Sequence, residues 1–180
     1  LENNETLIDY NKSGVALIEI VTFPDFEKLN EVILFAKRLK QIARYNSISD
    51  AEMQKGQMRF ELNISVKPFD MPKGELPNYK VEVKNIGSIS VLEKVLAFEF
   101  KRQTELLDKN EKITSQTRGL KGMTGETVFQ RSKETSDDYR YFPEPDIPPI
   151  KILESDLNSI ILPEQPAERK LRYINLGLEL

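Results

Sequence analysis

The sequence predicts an α+β fold, an antiparallel sheet with packed helices. Residues 58–67 and 79–86 alternate apolar and polar side chains with a period of two, the signature of half-buried strands. Residues 28–46 repeat apolar side chains at helical spacing. The resulting order of strand, helix, hairpin and helix is that of an α+β domain.

The elements follow along the chain. Gly14 to Val21 reads as a strand that is apolar on both faces and hence buried, and Pro24-Asp25 stops it. In the helix over 28–46, Val32, Phe35, Ala36, Leu39, Ile42 and Ala43 form the apolar stripe, with Lys37, Lys40 and Arg44 on other sides. In 58–67, Met58, Phe60, Leu62, Ile64 and Val66 alternate with Arg59, Glu61, Asn63, Ser65 and Lys67. A surface loop holding Pro68, Pro72, Gly74 and Pro77 leads to the strand 79–86. There Tyr79, Val81 and Val83 lie on one face and Lys80, Glu82 and Lys84 on the other. The two strands can pair as an antiparallel hairpin with both polar faces on one side.

Ser90 and Glu93 have capping-box spacing and open a helix that runs to about Leu107 and stops near Asp108-Lys109-Asn110. Residues 111–134 read as short strands and turns punctuated by Gly119, Gly122 and Gly125. Four prolines between Tyr139 and Pro149 make that stretch extended or turn-like. Ile150 to Leu153 can form a strand. Pro166 sits where a last helix can start, to end near Gly177.

Composition limits the chemistry. The chain has no cysteine and no histidine, which excludes disulfides, thiolate or histidine metal sites, and a Ser-His-Asp triad built from this chain alone. Carboxylates are the strong metal ligands that remain, and they suit Mg2+ or Ca2+. A net charge of −3 gives no global field to attract nucleic acid, so RNA contact needs a local basic patch. No apolar run is long enough to span a bilayer and no signal peptide is visible. A start at Leu1 without methionine reads as a fragment of a longer chain.

Three places can carry chemistry. Glu19 interrupts an apolar strand, and a carboxylate there needs a cation, a donor, a metal or a solvent edge. Arg59, Glu61 and Asn63 share a face, as do Lys80, Glu82 and Lys84. Side by side these strands make either a solvated face with cross-strand ion pairs or a cleft. In the cleft, Glu61 and Glu82 hold Mg2+ while Arg59 and Lys84 meet phosphate oxygens. The stretch Asp137 to Asp146 packs three aromatics, Arg140 and several acids between prolines, as a fixed binding edge or as a strap whose aromatics fill the core. No Gly-Lys-Ser or Gly-Lys-Thr is present. Any ATP site therefore uses carboxylates, metal and basic side chains rather than a P-loop.

Taken together, these segments resemble the GatB family, the ATP-using subunits of the tRNA-dependent aspartyl/glutamyl amidotransferases. Asp9-Tyr10-Asn11-Lys12-Ser13-Gly14-Val15-Ala16-Leu17-Ile18-Glu19-Ile20-Val21 is similar to that family's Asp-x-Asn-Arg-x-Gly-x-Pro-Leu-x-Glu-Ile-Val. Gly56-Gln57-Met58-Arg59-Phe60-Glu61-Leu62-Asn63-Ile64-Ser65 is similar to Gly-Ser-Leu-Arg-x-Asp-x-Asn-x-Ser, and Glu82-Val83-Lys84-Asn85 to Glu-x-Lys-Asn. Arg131-Ser132-Lys133-Glu134 with Asp138 to Asp146 is the most specific block. Leu162-Pro163-Glu164 and Glu168-Arg169 resemble the entry to the family's helical domain.

The resemblance implies a glutamine synthetase-like catalytic cradle over 1–160 and the start of a helical domain over 161–180. It implies ATP and Mg2+ as cofactors and phosphorylation of the side-chain carboxylate of misacylated Glu-tRNA(Gln) or Asp-tRNA(Asn), followed by attack of ammonia. The partners would be the amidotransferase's amidase subunit, its small third subunit and the misacylated tRNA, in a bacterial-type cytoplasm. Glu61 would ligate Mg2+ with Glu82 and Glu19 as further ligands. Arg59, Lys84, Glu61 and Glu82 would form the catalytic set, and Asn11, Asn85 and Arg140 would line the nucleotide site. The chain departs from the family at Gln54 and Lys55, where two acids stand, at Glu61 for aspartate, and at Ala16, Leu62 and Gly87. Those losses, with the family's N-terminal histidine and glutamate ligands and its tRNA-gripping tail absent, lead to the expectation that this chain alone is inactive. They also leave open a degenerate, non-catalytic tRNA-binding or scaffold role.

Overall fold

A computed structural model describes residues 6–11, 13–72, 74–132 and 145–179. Four strands form one sheet in the order β1-β2-β3-β4: β1 Phe60–Ile64, β2 Val81–Ile86, β3 Gln116–Leu120 and β4 Thr127–Ser132. The two connected pairs, β1 with β2 and β3 with β4, are antiparallel, as chain reversals through loops dictate. The middle pair, β2 with β3, is parallel. The sheet is therefore mixed rather than purely antiparallel. Its reason is the helix α2, Ile89–Asp108, which carries the chain back along the sheet as the crossover that parallel pairing requires.

The core lies between the sheet and α2. Leu62, Val81, Val83 and Ile86 meet Val91, Leu92, Val95 and Leu96, and Ala36 of α1, Leu29–Tyr45, closes the outer side. Ser88 caps α2, its Oγ accepting the Val91 N–H at 3.1 Å. The cap thus falls two residues before the expected Ser90, because Ser88 is the residue left in extended backbone. Glu31, in the first turn of α1, accepts the Lys28 N–H at 3.2 Å. Two short helices, α3 Glu154–Asn158 and α4 Pro166–Asn175, complete the described chain, α4 starting at its proline as expected. Ile150 to Leu153 forms no strand; Leu153 is instead the N-cap of α3.

The strand expected over Gly14 to Val21 is not part of the sheet. Its backbone pairs with no strand among the described residues, and its side chains are exposed, Leu17 at 90%. An apolar run supplies burial propensity but not the neighbouring edge that its N–H and C=O groups need.

Candidate active site

The face of the sheet turned away from α2 carries the polar half of each alternating strand. Val81 and Val83 are fully buried in the core, so Glu82 and Lys84 project to the other side. Cross-strand register places Asn63 beside Glu82, Glu82 beside Thr117, and Thr117 beside Arg131. One transverse row thus crosses all four strands.

Glu61 enters this face through an irregularity. Phe60 pairs with Ile86 and Leu62 with Val83, so Lys84 and Asn85 together oppose the single Glu61. This bulge on β2 is made by Asn85, whose φ of 62° lies in the left-handed region that asparagine tolerates. The extra residue resets the alternation. Ile86 returns to the core with no exposed surface, while Lys84 stays on the polar face.

Lys84 Nζ lies 3.6 Å from Glu61 Oε2 and 3.8 Å from Glu82 Oε1. One ammonium therefore touches both predicted acids, and the two carboxylates converge. The other oxygen of Glu82, Oε2, accepts the Thr117 hydroxyl proton at 2.9 Å. Glu82 and Thr117 are buried, Lys84 is partly buried, and Glu61 is exposed at the rim.

The remaining predicted residues fall elsewhere. Arg59 precedes β1 and is exposed, with no ion pair to a described residue. Asn85 is exposed at the bulge. Asn11 sits in an N-terminal turn, its N–H donating to Asp9 Oδ1 at 2.9 Å, and no hydrogen bond ties it to the described cluster. Glu19 is exposed on the extended 14–23 segment rather than buried in a strand, and no described residue pairs with it. It does not join Glu61 and Glu82. Arg140 and most of the Asp137 to Asp146 block lie outside the described residues.

A second polar cluster was not anticipated. On the core side of the sheet Glu99 is fully buried, and Arg102 Nη2 donates to its Oε2 at 2.7 Å and Gln103 Nε2 at 3.0 Å. Arg118 Nε stands 3.1 Å from Glu99 Oε1, and the Thr127 hydroxyl also donates to that carboxylate. Gln103 passes the network on, its Oε1 accepting from the Tyr79 hydroxyl at 3.0 Å and the Val66 N–H at 3.1 Å. Burial pushes the Glu99 carboxyl up, but the donors from Arg102, Gln103 and Thr127 outweigh it and hold the group below its usual range. Burial pulls the Arg118 guanidinium down, and the nearby Arg102 charge adds to that. The signal was in the sequence: Glu99 and Gln103 continue the Leu92, Leu96 stripe of α2.

A sequence model of the GatB/GatE catalytic domain matches residues 1–158. The chain belongs to this family. Relatives include the GatB subunit of the aspartyl/glutamyl-tRNA(Asn/Gln) amidotransferase of Thermosipho melanesiensis, 46% identical over 176 residues, 96% of this chain and 36% of the relative. The same subunit of a Nostoc species is 43% identical over 96% of this chain and 35% of its own length. That of Mycoplasma capricolum is 42% identical over 98% of this chain and 37% of its own length. The chain thus spans about a third of the length of the curated relatives it matches. No helix among the described residues of this GatB/GatE-type chain is long and apolar enough to cross a membrane.

The donor set can be tested against Mg2+. Among the described residues no group of three or more acidic side chains gathers into a metal cage. A converging pair, Glu61 and Glu82, suits a Mg2+ that takes its other oxygens from nucleotide phosphates and water, the usual arrangement in phosphoryl-transfer sites. The groove between α1 and α2, about 450 Å3 and lined by residues such as Leu29, Ile33, Leu34 and Leu96, contains none of the predicted site residues.

Proposed function

We propose that this chain forms the phosphoryl-transfer face of the GatB subunit in a tRNA-dependent amidotransferase. There ATP activates the side-chain carboxylate of misacylated Glu-tRNA(Gln) or Asp-tRNA(Asn). The observation that carries the reading is the convergence of Glu61 and Glu82 on Lys84 across the β1–β2 bulge. Family membership and the activity named for the relatives support it.

Attack on a carboxylate needs a leaving group better than oxide, and an acyl phosphate provides one. The γ-phosphoryl of ATP passes to the substrate carboxylate, and ammonia from the amidase partner then displaces phosphate to give the amide. Phosphoryl transfer asks the protein mainly for position and for compensation of negative charge. Glu61 and Glu82 would hold Mg2+, which when bound supplies charge neutralisation at the transferring phosphoryl. Lys84 balances the two carboxylates before nucleotide binds and offers an ammonium to phosphate oxygens afterwards. Arg59 and Asn85 stand exposed at the rim, and Asn11 and Arg140 complete the proposed nucleotide set. The reading extends to a glutamine synthetase-like cradle over 1–160 and a helical domain beginning at 161. The small third subunit would be a further partner, in a bacterial-type cytoplasm.

The test is ATP-dependent amidation of misacylated tRNA by the full-length protein in complex with its amidase partner. Glu61→Gln keeps the shape and removes the charge. The expected result is a rate loss of about 100-fold or more, the scale of one lost transition-state contact. An unchanged rate would move the site away from β1. An assembled wild type that binds tRNA but makes no amide would instead support a degenerate scaffold, the reading favoured by Gln54 and Lys55 replacing two family acids.

A further inference from the structure

We propose that Thr117 is a positioning residue for Glu82: its hydroxyl fixes one carboxylate oxygen so that the other faces Lys84 and Glu61. The inference rests on the phosphoryl-transfer reading for the identity of the site, and goes beyond it in naming what aims Glu82.

The geometry has three parts. Parallel register sets Thr117 directly beside Glu82, a placement that would change if β3 slipped by one residue. The hydroxyl donates to Glu82 Oε2 at 2.9 Å, while Lys84 Nζ lies near the opposite oxygen, Oε1. The two carboxylate oxygens are thus engaged by different residues, which restricts rotation of the group about its terminal torsion, a soft one in a free glutamate. Thr117 is only 2% exposed, so water has little room to replace its hydroxyl. Its branched Cβ also limits χ1 in a strand, which makes it a stiffer donor than serine.

A carboxylate held at one oxygen presents the other as a ligand in fixed orientation. Partners of this kind, one bond removed from a metal, tune affinity without touching the ion. Thr117 therefore acts through Glu82 and is not itself a ligand.

The experiment compares Thr117→Val, which keeps the shape and loses the donor, with Thr117→Ser, which keeps the donor, in the full-length protein. Mn2+ with a non-hydrolysable ATP analogue serves as probe, and the electron paramagnetic resonance signal of free Mn2+ measures binding without turnover. Thr117→Val is expected to weaken Mn2+ binding roughly 10- to 100-fold. Thr117→Ser should restore most of it, and thermal melting should confirm that both variants fold. Glu82→Gln runs in parallel. If Glu82→Gln weakens binding while Thr117→Val binds like wild type, the positioning role is wrong and the site stands. Binding weakened equally by Thr117→Val and Thr117→Ser would also overturn it, because the donor would then not be what matters. If Glu82→Gln leaves binding intact, the site reading and the positioning role fall together.

Discussion

At the scale of single residues, two carboxylates in this chain have opposite situations. Glu61 sits at an exposed rim where charge can be offered to a ligand, whereas Glu99 is sealed in the core and spent on holding α2 to β3 and β4. Removing one partner from a buried charged network leaves the others uncompensated, at a cost of about 3–5 kcal/mol. Glu99→Ala is therefore expected to lower the unfolding free energy by about that much in denaturant titration. An effect near zero would mean that water or neighbours already screen Arg102 and Arg118. The pH dependence follows from the sign of the shift. The folded-state pKa of Glu99 is depressed below the usual 4.5. Its stabilising contribution is thus fully present above the unfolded value and is lost as pH falls through the folded one. Wild type should lose stability on acidification below about pH 4.5, and Glu99→Gln should show a shallower acid limb. The sequence made Glu61, Glu82 and Lys84 legible because strict alternation over 58–67 and 79–86 places them on one face. Thr117 was not legible, because a hydroxyl in a five-residue strand gives no pattern long enough to show which side it faces or that it is buried.

At the scale of elements, the β1–β2 pair depends on an irregularity that period-two reading does not show. Simple alternation from Glu82 and Lys84 would put Ile86 on the polar face, yet Ile86 is wholly buried because Asn85 takes an extra place in the strand. The left-handed backbone at Asn85 is open to glycine and hostile to β-branched residues. Asn85→Gly should leave thermal stability within about 0.5 kcal/mol of wild type, whereas Asn85→Val should cost about 1–3 kcal/mol through strain. The same pair separates fold from function. An amidation rate that falls in the glycine variant at unchanged stability would show that the exposed Asn85 amide contacts substrate. An unaltered rate would confine Asn85 to shaping the bulge. The helices were readable to within one or two residues, since α1 and α2 bury continuous apolar stripes. The expected strand over Gly14 to Val21 was not realised, because pairing depends on a neighbouring edge that no local pattern encodes.

For the molecule as a whole, burial is concentrated on one side. The sheet, α2 and α1 form successive layers, while the extended segment 14–23 leaves Leu17, Val21 and Phe23 in solvent. The mixed sheet belongs to this scale too. The parallel β2–β3 pair depends on where α2 delivers the chain, a long-range outcome absent from either strand's own pattern. Local opening is expected to follow the same division. Amides of β2 and of α2 around Val95 and Leu96 sit in the best-packed part of the fold and should exchange with solvent deuterium most slowly. Amides of residues 15–22, which pair with no strand among the described residues, should exchange at close to the rate of an unstructured peptide. Hydrogen-exchange mass spectrometry on this 180-residue chain resolves the two. Protection of 15–22 matching that of β2 would mean that the segment finds a strand partner in solution, and the four-stranded sheet would then be too small a description of the fold. Fast exchange there, with β2 and α2 protected, would show that the layers carrying Glu61, Glu82 and Lys84 hold together without it. The candidate site would then be built by the sheet itself, with Glu19 playing no part in its assembly.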